Sequence, residues 1–208
     1  MNISASQLSL YRNCPAAYKF KYIDGIESSP SEILEEAMRF GTEFHENVIV
    51  CKSEDPKIQK MVLALHNSEF SNYIDKIDEK EDSFVVQVED FRLRAILDAN
   101  CEDYILEFKT ASKPWEDSKF ETEIQPTLYQ FAEFKRTGKV KEFIYFIVTK
   151  TDDPRVQIWK RATLPEDKVN ELLLLVTQLR SDFEFEPTGY KKNACFFCDY
   201  KDHCPVYF

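Results

Sequence analysis

The first third of the chain carries apolar residues at helical spacing. Residues 4–22 predict a short helix that is interrupted at Pro15 and capped by a serine at position 4 or 6. Residues 31–50 repeat their apolar positions with the period of an α-helix, and residues 56–72 predict another amphipathic helix. The chain therefore opens with helices.

The pattern then changes to that of strands. β-branched and aromatic residues alternate with charged ones over residues 84–98, and residues 104–109 predict a short strand after a turn. Because proline suits the first turn of a helix, we expect a helix from Pro126 to Arg136 that ends at Gly138. The remaining pattern predicts two strands and a last amphipathic helix, at residues 143–150, 156–163 and 165–182.

This order of elements predicts an α/β fold with a mixed central sheet flanked by helices. A chain of 208 residues suits one domain with a sizeable core. Within that single domain, residues 1–208, we expect a helical cap over residues 1–75 and a core over residues 80–187. An irregular, cysteine-rich tail is expected over residues 188–208.

Composition and charge limit where the protein is expected to be located and what it is expected to bind. The N-terminus lacks the pattern of a signal peptide and the apolar runs are too short to cross a bilayer, so we expect a cytoplasmic protein. Its six cysteines are then thiols or metal ligands in preference to disulfides. The net charge of −10 alone argues against DNA binding. The acidity is uneven, however, with 19 acidic and 9 basic residues over 31–110 against 16 and 15 over 111–208.

Two acidic residues near the ends of neighbouring predicted strands suggest a metal site. Asp98 is followed by Glu107-Phe108-Lys109, and a hairpin would return the second strand alongside the first. The two-residue period of a strand puts Glu107 and Lys109 on one face. Mg²⁺ and Mn²⁺ prefer carboxylate oxygens, and a nearby lysine can stabilise charge on a reacting phosphate. Taken alone, the pattern also fits an ordinary salt-bridged sheet surface.

Three more residues could belong to the same site. His45 lies in GTEFHE on a predicted helix, and imidazole is a ligand for Mn²⁺, although a lone helical histidine is more often structural. Gln125 and Tyr129 lie four residues apart in QPTLY and hence on one helical face. An ordinary amphipathic helix explains that spacing equally well.

The cysteines suggest a second metal site. Cys195 and Cys198 form a C-x-x-C pair, Cys204 follows them, and Cys14 near the N-terminus could supply a fourth ligand. This set favours an iron–sulfur cluster. A four-cysteine zinc site, a three-cysteine site completed by His203, and buried thiols are the alternatives. The remaining two cysteines are expected to pack in the core, Cys51 and Cys101.

Together these residues resemble the RecB-like branch of the PD-(D/E)XK nucleases that carries an iron–sulfur cluster. That branch includes small CRISPR-associated exonucleases, the AddB nuclease domain and phage-encoded relatives. The segment SASQLSLYRNCPAAYKFKY is similar to the family's S-x-S…Y-x-x-C-P…Y segment, GTEFHE to its G…H motif, EFK to its (D/E)-x-K motif and QPTLY to its Q-x-x-x-Y motif. The motifs keep the family's order from end to end. The sequence RAILD departs from the family, because a glycine often precedes the aspartate there.

The resemblance implies a role for each matching residue. His45, Asp98 and Glu107 would hold a catalytic Mg²⁺ or Mn²⁺ ion, with the backbone carbonyl of Phe108 as a further ligand. Lys109 would be the catalytic lysine. The remaining residues would form two groups: Gln125 and Tyr129 supporting the site and contacting substrate, and Cys14, Cys195, Cys198 and Cys204 holding a 4Fe-4S cluster.

The implied function is a divalent-metal-dependent DNA exonuclease that acts on DNA ends, in particular single-stranded ends. Its partners would be recombination, repair or CRISPR spacer-acquisition proteins, with no membrane, and its location the cytoplasm, or the host cytoplasm if a phage encodes it. A non-catalytic DNA-end adaptor in such a complex is the alternative, and a zinc-stabilised interaction protein is a further one. Tyr129 and Trp115 are candidates for stacking on unpaired bases, although Trp115 also suits the core.

Overall fold

The computed structural model describes residues 2–28, 32–77, 79–192 and 194–206. Within these ranges the strands are β1 Asn2–Ser4, β2 Glu79–Val88, β3 Phe91–Asn100, β4 Tyr104–Ala111, β5 Glu142–Thr149 and β6 Val156–Arg161. The helices are α1 Ala5–Asn13, α2 Pro15–Tyr22, α3 Glu32–Asn47, α4 Pro56–His66, α5 Ser71–Ile74, α6 Asp117–Thr122, α7 Gln125–Thr137 and α8 Glu166–Ser181. No helix in the described part of the chain is long and apolar enough to cross a membrane.

The six strands form one mixed sheet, and the sequence predicts the mixed sheet and all of its strands except β1. Its order is β1-β3-β4-β5-β6, and β2 pairs with the other edge of β3. β1 and β3 run parallel, as do β4 and β5, whereas the hairpin partners β2–β3, β3–β4 and β5–β6 are antiparallel. The mixed sheet therefore arises from three hairpin connections and two crossovers.

Helices pack on both faces of the sheet and form two apolar cores. Side chains of α1, α7 and α8 pack on one face, for example Leu8, Leu128 and Val176, against Leu93 and Tyr145 of the sheet. Side chains of α3 and α4 pack on the other face, over β4 and β5. Two-sided burial explains why β5 is apolar along nearly its whole length.

The N-terminal segment begins in the sheet. β1 lies in the range predicted as a helical cap and was not predicted, because three residues are too few to show a strand period. Ser4 then caps α1 through a capping box with Gln7, as the serine at this position predicts. Cys14 adopts an extended conformation between α1 and α2, and Pro15 begins the second helix.

Most predicted elements are present, with local differences. The helix expected over residues 56–72 is α4 followed by the short α5, and α6 was not predicted at all. Residue 31, the expected start of α3, lies outside the described residues. The prediction that Cys51 packs in the core is wrong: it is exposed, in a left-handed conformation after α3, whereas Cys101 is buried as expected.

One hydrogen bond connects the two ends of the fold. The Tyr11 hydroxyl on α1 donates to Asp182 Oδ2 after α8, at 2.8 Å. We expect Tyr11→Phe to lower the free energy of unfolding by about 1 kcal/mol, because a hydrogen bond to a carboxylate is lost while the ring is kept. Urea denaturation measures this. Tyr190→Phe, at a tyrosine that is 55% exposed, is the control, and an equal loss there would contradict the assignment.

Candidate active site

The candidate residues meet where two neighbouring strands separate. β3 and β4 pair only at Ala99–Leu106 and Asn100–Ile105, next to the turn that joins them. Beyond that point the strands diverge, so Asp98 on β3 and Glu107 on β4 lie at the start of a gap in the sheet. Sequence alone predicts the hairpin but does not show how few residues pair.

Asp98 connects β3 to strand β4 and to helix α3 at this gap. Its Oδ2 accepts a hydrogen bond from the Phe108 amide at 2.8 Å and lies 3.2 Å from His45 Nδ1 on α3. Because the N–H and C=O of a strand residue point to the same edge, the Phe108 carbonyl also faces the gap. The structure thus brings together three of the predicted metal ligands, one of them a backbone carbonyl.

Glu107 is a buried carboxylate with one unsatisfied oxygen. Its side chain is 3% exposed, and Oε1 accepts from Lys109 Nζ and from Gln125 Nε2, both at 2.6 Å. Among the described residues, Oε2 has no hydrogen-bond partner. Burial, with a contribution from the Asp98 charge, raises the pKa of Glu107 to about 7. A buried carboxylate in this state lacks a cation or a donor on its second oxygen.

Lys109 lies on the same face of β4 as Glu107, as the strand period predicts. Burial tends to lower the pKa of Lys109, but the charges of Glu107 and Asp98 outweigh it, so that the pKa lies above its ordinary value. Its ammonium group therefore stays charged at neutral pH. The Lys109 side chain remains 28% exposed, which leaves it accessible from the adjoining cleft.

A chain of hydrogen bonds from α7 and β5 fixes Glu107. The Tyr145 hydroxyl donates to Gln125 Oε1 at 3.1 Å, and Gln125 Nε2 donates to Glu107 and to the Tyr129 oxygen at 3.0 Å. The donor to Glu107 is thereby held in one orientation. Sequence reasoning missed Tyr145, although it is the one polar side chain in the middle of an apolar strand. It lies in register with Glu107 on the neighbouring strand.

The donor atoms suit a divalent cation, although they are not arranged around one. In the described ranges, no group of three or more His, Cys, Asp or Glu side chains is placed to hold a metal ion. Two carboxylates and an imidazole nevertheless border the same gap, and the orphaned Oε2 of Glu107 is a buried oxygen that a cation would satisfy. Oxygen-rich sets of this kind fit Mg²⁺ or Mn²⁺.

The four cysteines of the predicted cluster line one cavity of about 200 Å³ between α2 and the C-terminal tail. Burial raises the pKa of the Cys195 and Cys198 thiols, and the neighbouring cysteines raise it further. Cys14 and Cys204 are buried, whereas His203 is exposed and does not border the cavity. The structure therefore brings residue 14 next to the tail, 181 residues away along the chain from Cys195.

Neither aromatic residue proposed for base stacking presents a free ring face. Tyr129 is 6% exposed. The Trp115 ring packs against Phe120 and Tyr145, and the Lys119 ammonium lies 3.7 Å from its centroid. The core interpretation of Trp115 therefore fits the structure. In contrast, Tyr22 is 38% exposed and lines the cleft next to Lys109, where sequence reasoning did not place it.

Comparisons with known proteins identify a superfamily and a shared fold. The model of the PD-(D/E)XK nuclease superfamily matches residues 2–56 and 52–205. A protein from Eubacterium rectale, described as a candidate exonuclease, is similar in structure at 13% identity and a TM-score of 0.63, covering 93% of this chain and 86% of that protein. The protein SSO0001 is similar at 15% identity and a TM-score of 0.61, covering 100% and 87%. At these identities the structures show a shared fold. Among curated proteins, none matches the chain.

Proposed function

The chain belongs to the PD-(D/E)XK nuclease superfamily, and from that premise we propose that it is a divalent-metal-dependent exonuclease acting on single-stranded DNA ends. The observation that carries the proposal is the meeting of His45, Asp98, Glu107 and Lys109 at one gap in the sheet. A salt-bridged sheet surface would not need a carboxylate as buried as Glu107. The superfamily match supports a nuclease. The metal dependence, the exonuclease activity and the single-stranded substrate are our proposal.

His45, Asp98, Glu107 and the Phe108 carbonyl would hold the cation. A divalent ion bound there would activate water and neutralise charge on the phosphate. The hydrogen bonds from Gln125 and Lys109 hold Oε1 of Glu107. They leave Oε2 without a hydrogen-bond partner among the described residues. Asp98 is oriented in the same way by the Phe108 amide. Both carboxylates are thus positioned before any ligand binds.

Lys109 would act on the phosphate and not on the cation. A charged amine at the cleft, held by Glu107, can donate hydrogen bonds to phosphate oxygens as negative charge develops on them. Tyr145 and Gln125 keep Glu107 in place while this happens, and therefore act as positioning residues.

The assay that tests the proposed function uses end-labelled linear and circular single-stranded DNA, and duplex DNA, with Mg²⁺ or Mn²⁺. We expect release of short products from linear single strands, with circular strands resistant and chelator abolishing the reaction. Cleavage of circular strands would replace the exonuclease with an endonuclease. Binding of DNA ends without cleavage under any of these conditions would favour the adaptor function.

Replacing Lys109 with methionine should reduce kcat by about 100- to 1,000-fold, the range for a lost donor to a transition-state anion. Binding of Mn²⁺, measured by calorimetry at pH 8, should be retained, since lysine is not a ligand. Lys139→Met is the control, because Lys139 pairs with Asp103 at the opposite end of β4. Loss of Mn²⁺ binding with cleavage retained would reverse the assigned role.

We propose that the cysteine cavity holds a 4Fe-4S cluster. A single zinc ion with four thiolates at about 2.3 Å leaves no space between its ligands. The cavity that the four cysteines border is instead about 200 Å³, more than a single ion or water would fill. A polyatomic cluster with four cysteine ligands fits that arrangement.

The RecB-like motifs also support a biological setting. Their order over the whole chain is that of nucleases acting in recombination, repair and CRISPR spacer acquisition, so we propose partners from those complexes. Residues 1–75 and the cysteine-rich tail would flank the nuclease core of residues 80–187 as parts of one domain. Copurification with proteins encoded beside this gene tests the proposed setting.

A further inference from the structure

Within the described ranges, no helix covers part of the sheet next to the candidate site. Alternate residues of β3 are buried on one face and exposed on the other, over the whole stretch from Phe91 to Leu97. The buried set packs against α7 and its neighbours. The exposed set is Arg92, Arg94 and Ile96. Asp98 occupies the next position in the same alternation, so this face leads directly to the candidate site.

The two arginines on this face have no counter-charge. In the described part of the chain, no hydrogen bond or ion pair reaches either guanidinium. Arg136 and Arg180, by comparison, both pair with aspartates. Two unpaired like charges at successive positions of one strand face repel each other, and an anion bound between them would relieve that repulsion.

The side chains in register with the two arginines carry no negative charge either. The side chains in register with them on β1 and β2 are Asn2, Ser4, Val85 and Gln87. The next pair on the same face is Ile96 and Ser83. None of these side chains is acidic. In a protein of net charge −10, such a surface is suited to an anionic partner.

The face continues into the cleft that exposes Lys109. Arg94 and Ile96 border this cleft of about 480 Å³ together with Ser4, Tyr22, Lys109 and Gln125, and Glu123 is the acidic residue in its lining. Its volume is in the range of a small-ligand site, which suits a single DNA strand. Tyr22 on its wall is 38% exposed. Its ring packs against Tyr18 at 5.1 Å between centroids, and its exposed part is available to an unpaired base.

We infer that the exposed face of β1, β3 and β2 is the track for the DNA strand that extends from the candidate site, with Arg94 and then Arg92 contacting its phosphates. This rests on the proposed function and adds the path of the substrate. Arg94 lies four residues from Asp98, or roughly 14 Å along the strand, and Arg92 roughly 7 Å further. The DNA therefore needs several nucleotides beyond the cleaved bond to reach both arginines.

The test measures binding of full-length protein to oligothymidylates of increasing length, by fluorescence anisotropy in the presence of a chelator. We expect Arg94→Ala to weaken binding of a long oligothymidylate by about tenfold and the double variant R92A/R94A by about 100-fold. The slope of log K against log salt should fall by about 0.7 for each guanidinium removed. A dinucleotide should bind Arg92→Ala as it binds the parent protein, since it is too short to reach Arg92 from the candidate site.

Lys135→Ala is the matched control, because it removes one positive charge from the exposed C-terminal end of α7, roughly 15 Å along the helix from Gln125. It should leave affinity and salt slope unchanged. All three changes are at exposed side chains, so melting temperatures should match the parent protein. Unchanged affinity and slope in R92A/R94A, no binding by the parent protein, or equally tight and arginine-dependent binding of blunt duplex would each overturn the track.

Hydrolysis of a small phosphodiester, bis(4-nitrophenyl) phosphate, separates this inference from the nuclease proposal. That compound is a single phosphodiester, so its hydrolysis by the parent protein reports on the candidate site without requiring the track. Arginine-dependent DNA binding by a protein that hydrolyses neither substrate would support the track and refute the nuclease. Hydrolysis of both substrates with arginine-independent DNA binding would support the nuclease and refute the track.

Discussion

Glu107→Gln should reduce DNA cleavage by more than about 100-fold, beyond the loss usual for residues that merely support a metal ligand. The change keeps the shape of the side chain and removes the negative charge that would bind the cation. Because burial raises the pKa of Glu107, its charge costs folding free energy near and above neutral pH, and a neutral amide does not carry that cost. We therefore expect activity to be lost while the melting temperature changes by only a few degrees.

The measurements are initial cleavage rates, Mn²⁺ binding by calorimetry and thermal unfolding, with Asp98→Asn as a second site variant. Both variants should lose cleavage and Mn²⁺ affinity together. Asp103→Asn is the control: it removes an equal charge just before β4, at a side chain that is 72% exposed and pairs only at the surface. Near-parent cleavage in Glu107→Gln or Asp98→Asn, in protein free of contaminating nuclease, would refute the metal-site assignment.

Cys14→Ala should remove the cluster and much of the stability of the protein. Anaerobically purified parent protein should be brown, with about four irons per chain. Linking Cys14 to cysteines about 180 residues away restricts the unfolded chain, and loop entropy places that effect at about 5 kcal/mol as an upper limit. Most domains have a net stability of about 5–15 kcal/mol, so loss of the link should lower the melting temperature strongly.

Cys51→Ala provides the control for this prediction, because Cys51 is exposed and does not line the cavity. It should keep both colour and melting temperature. Iron analysis, visible absorption and thermal unfolding distinguish the outcomes. Colourless protein with one zinc per chain would refute the iron–sulfur cluster and keep the link between the two ends. A fully coloured, equally stable Cys14→Ala protein would refute the link itself.

The local pattern of the sequence determined most of the secondary structure and pointed to the residues of the candidate site. Helical and strand periods are local properties, and so are the caps at Ser4 and Gly138, which explains why most predicted elements are present. The spacing in Glu107-Phe108-Lys109 placed the acid and the lysine on one face. The polar residues of QPTLY and the C-x-x-C pair could be recognised because their spacing is also a local property.

Tertiary structure alone decided how these residues are arranged. The pairing of β1 with β3 and the meeting of Cys14 with the tail join segments far apart in sequence, and local periods do not encode such contacts. The gap between β3 and β4, which holds Glu107 with one unsatisfied oxygen, depends on where strand pairing ends. The same holds for Arg94: the residue is visible in the sequence, but the described strands that flank it decide that no carboxylate lies in register with it. Burial and charge pairing are properties of neighbours in space, and the fold alone determines those neighbours.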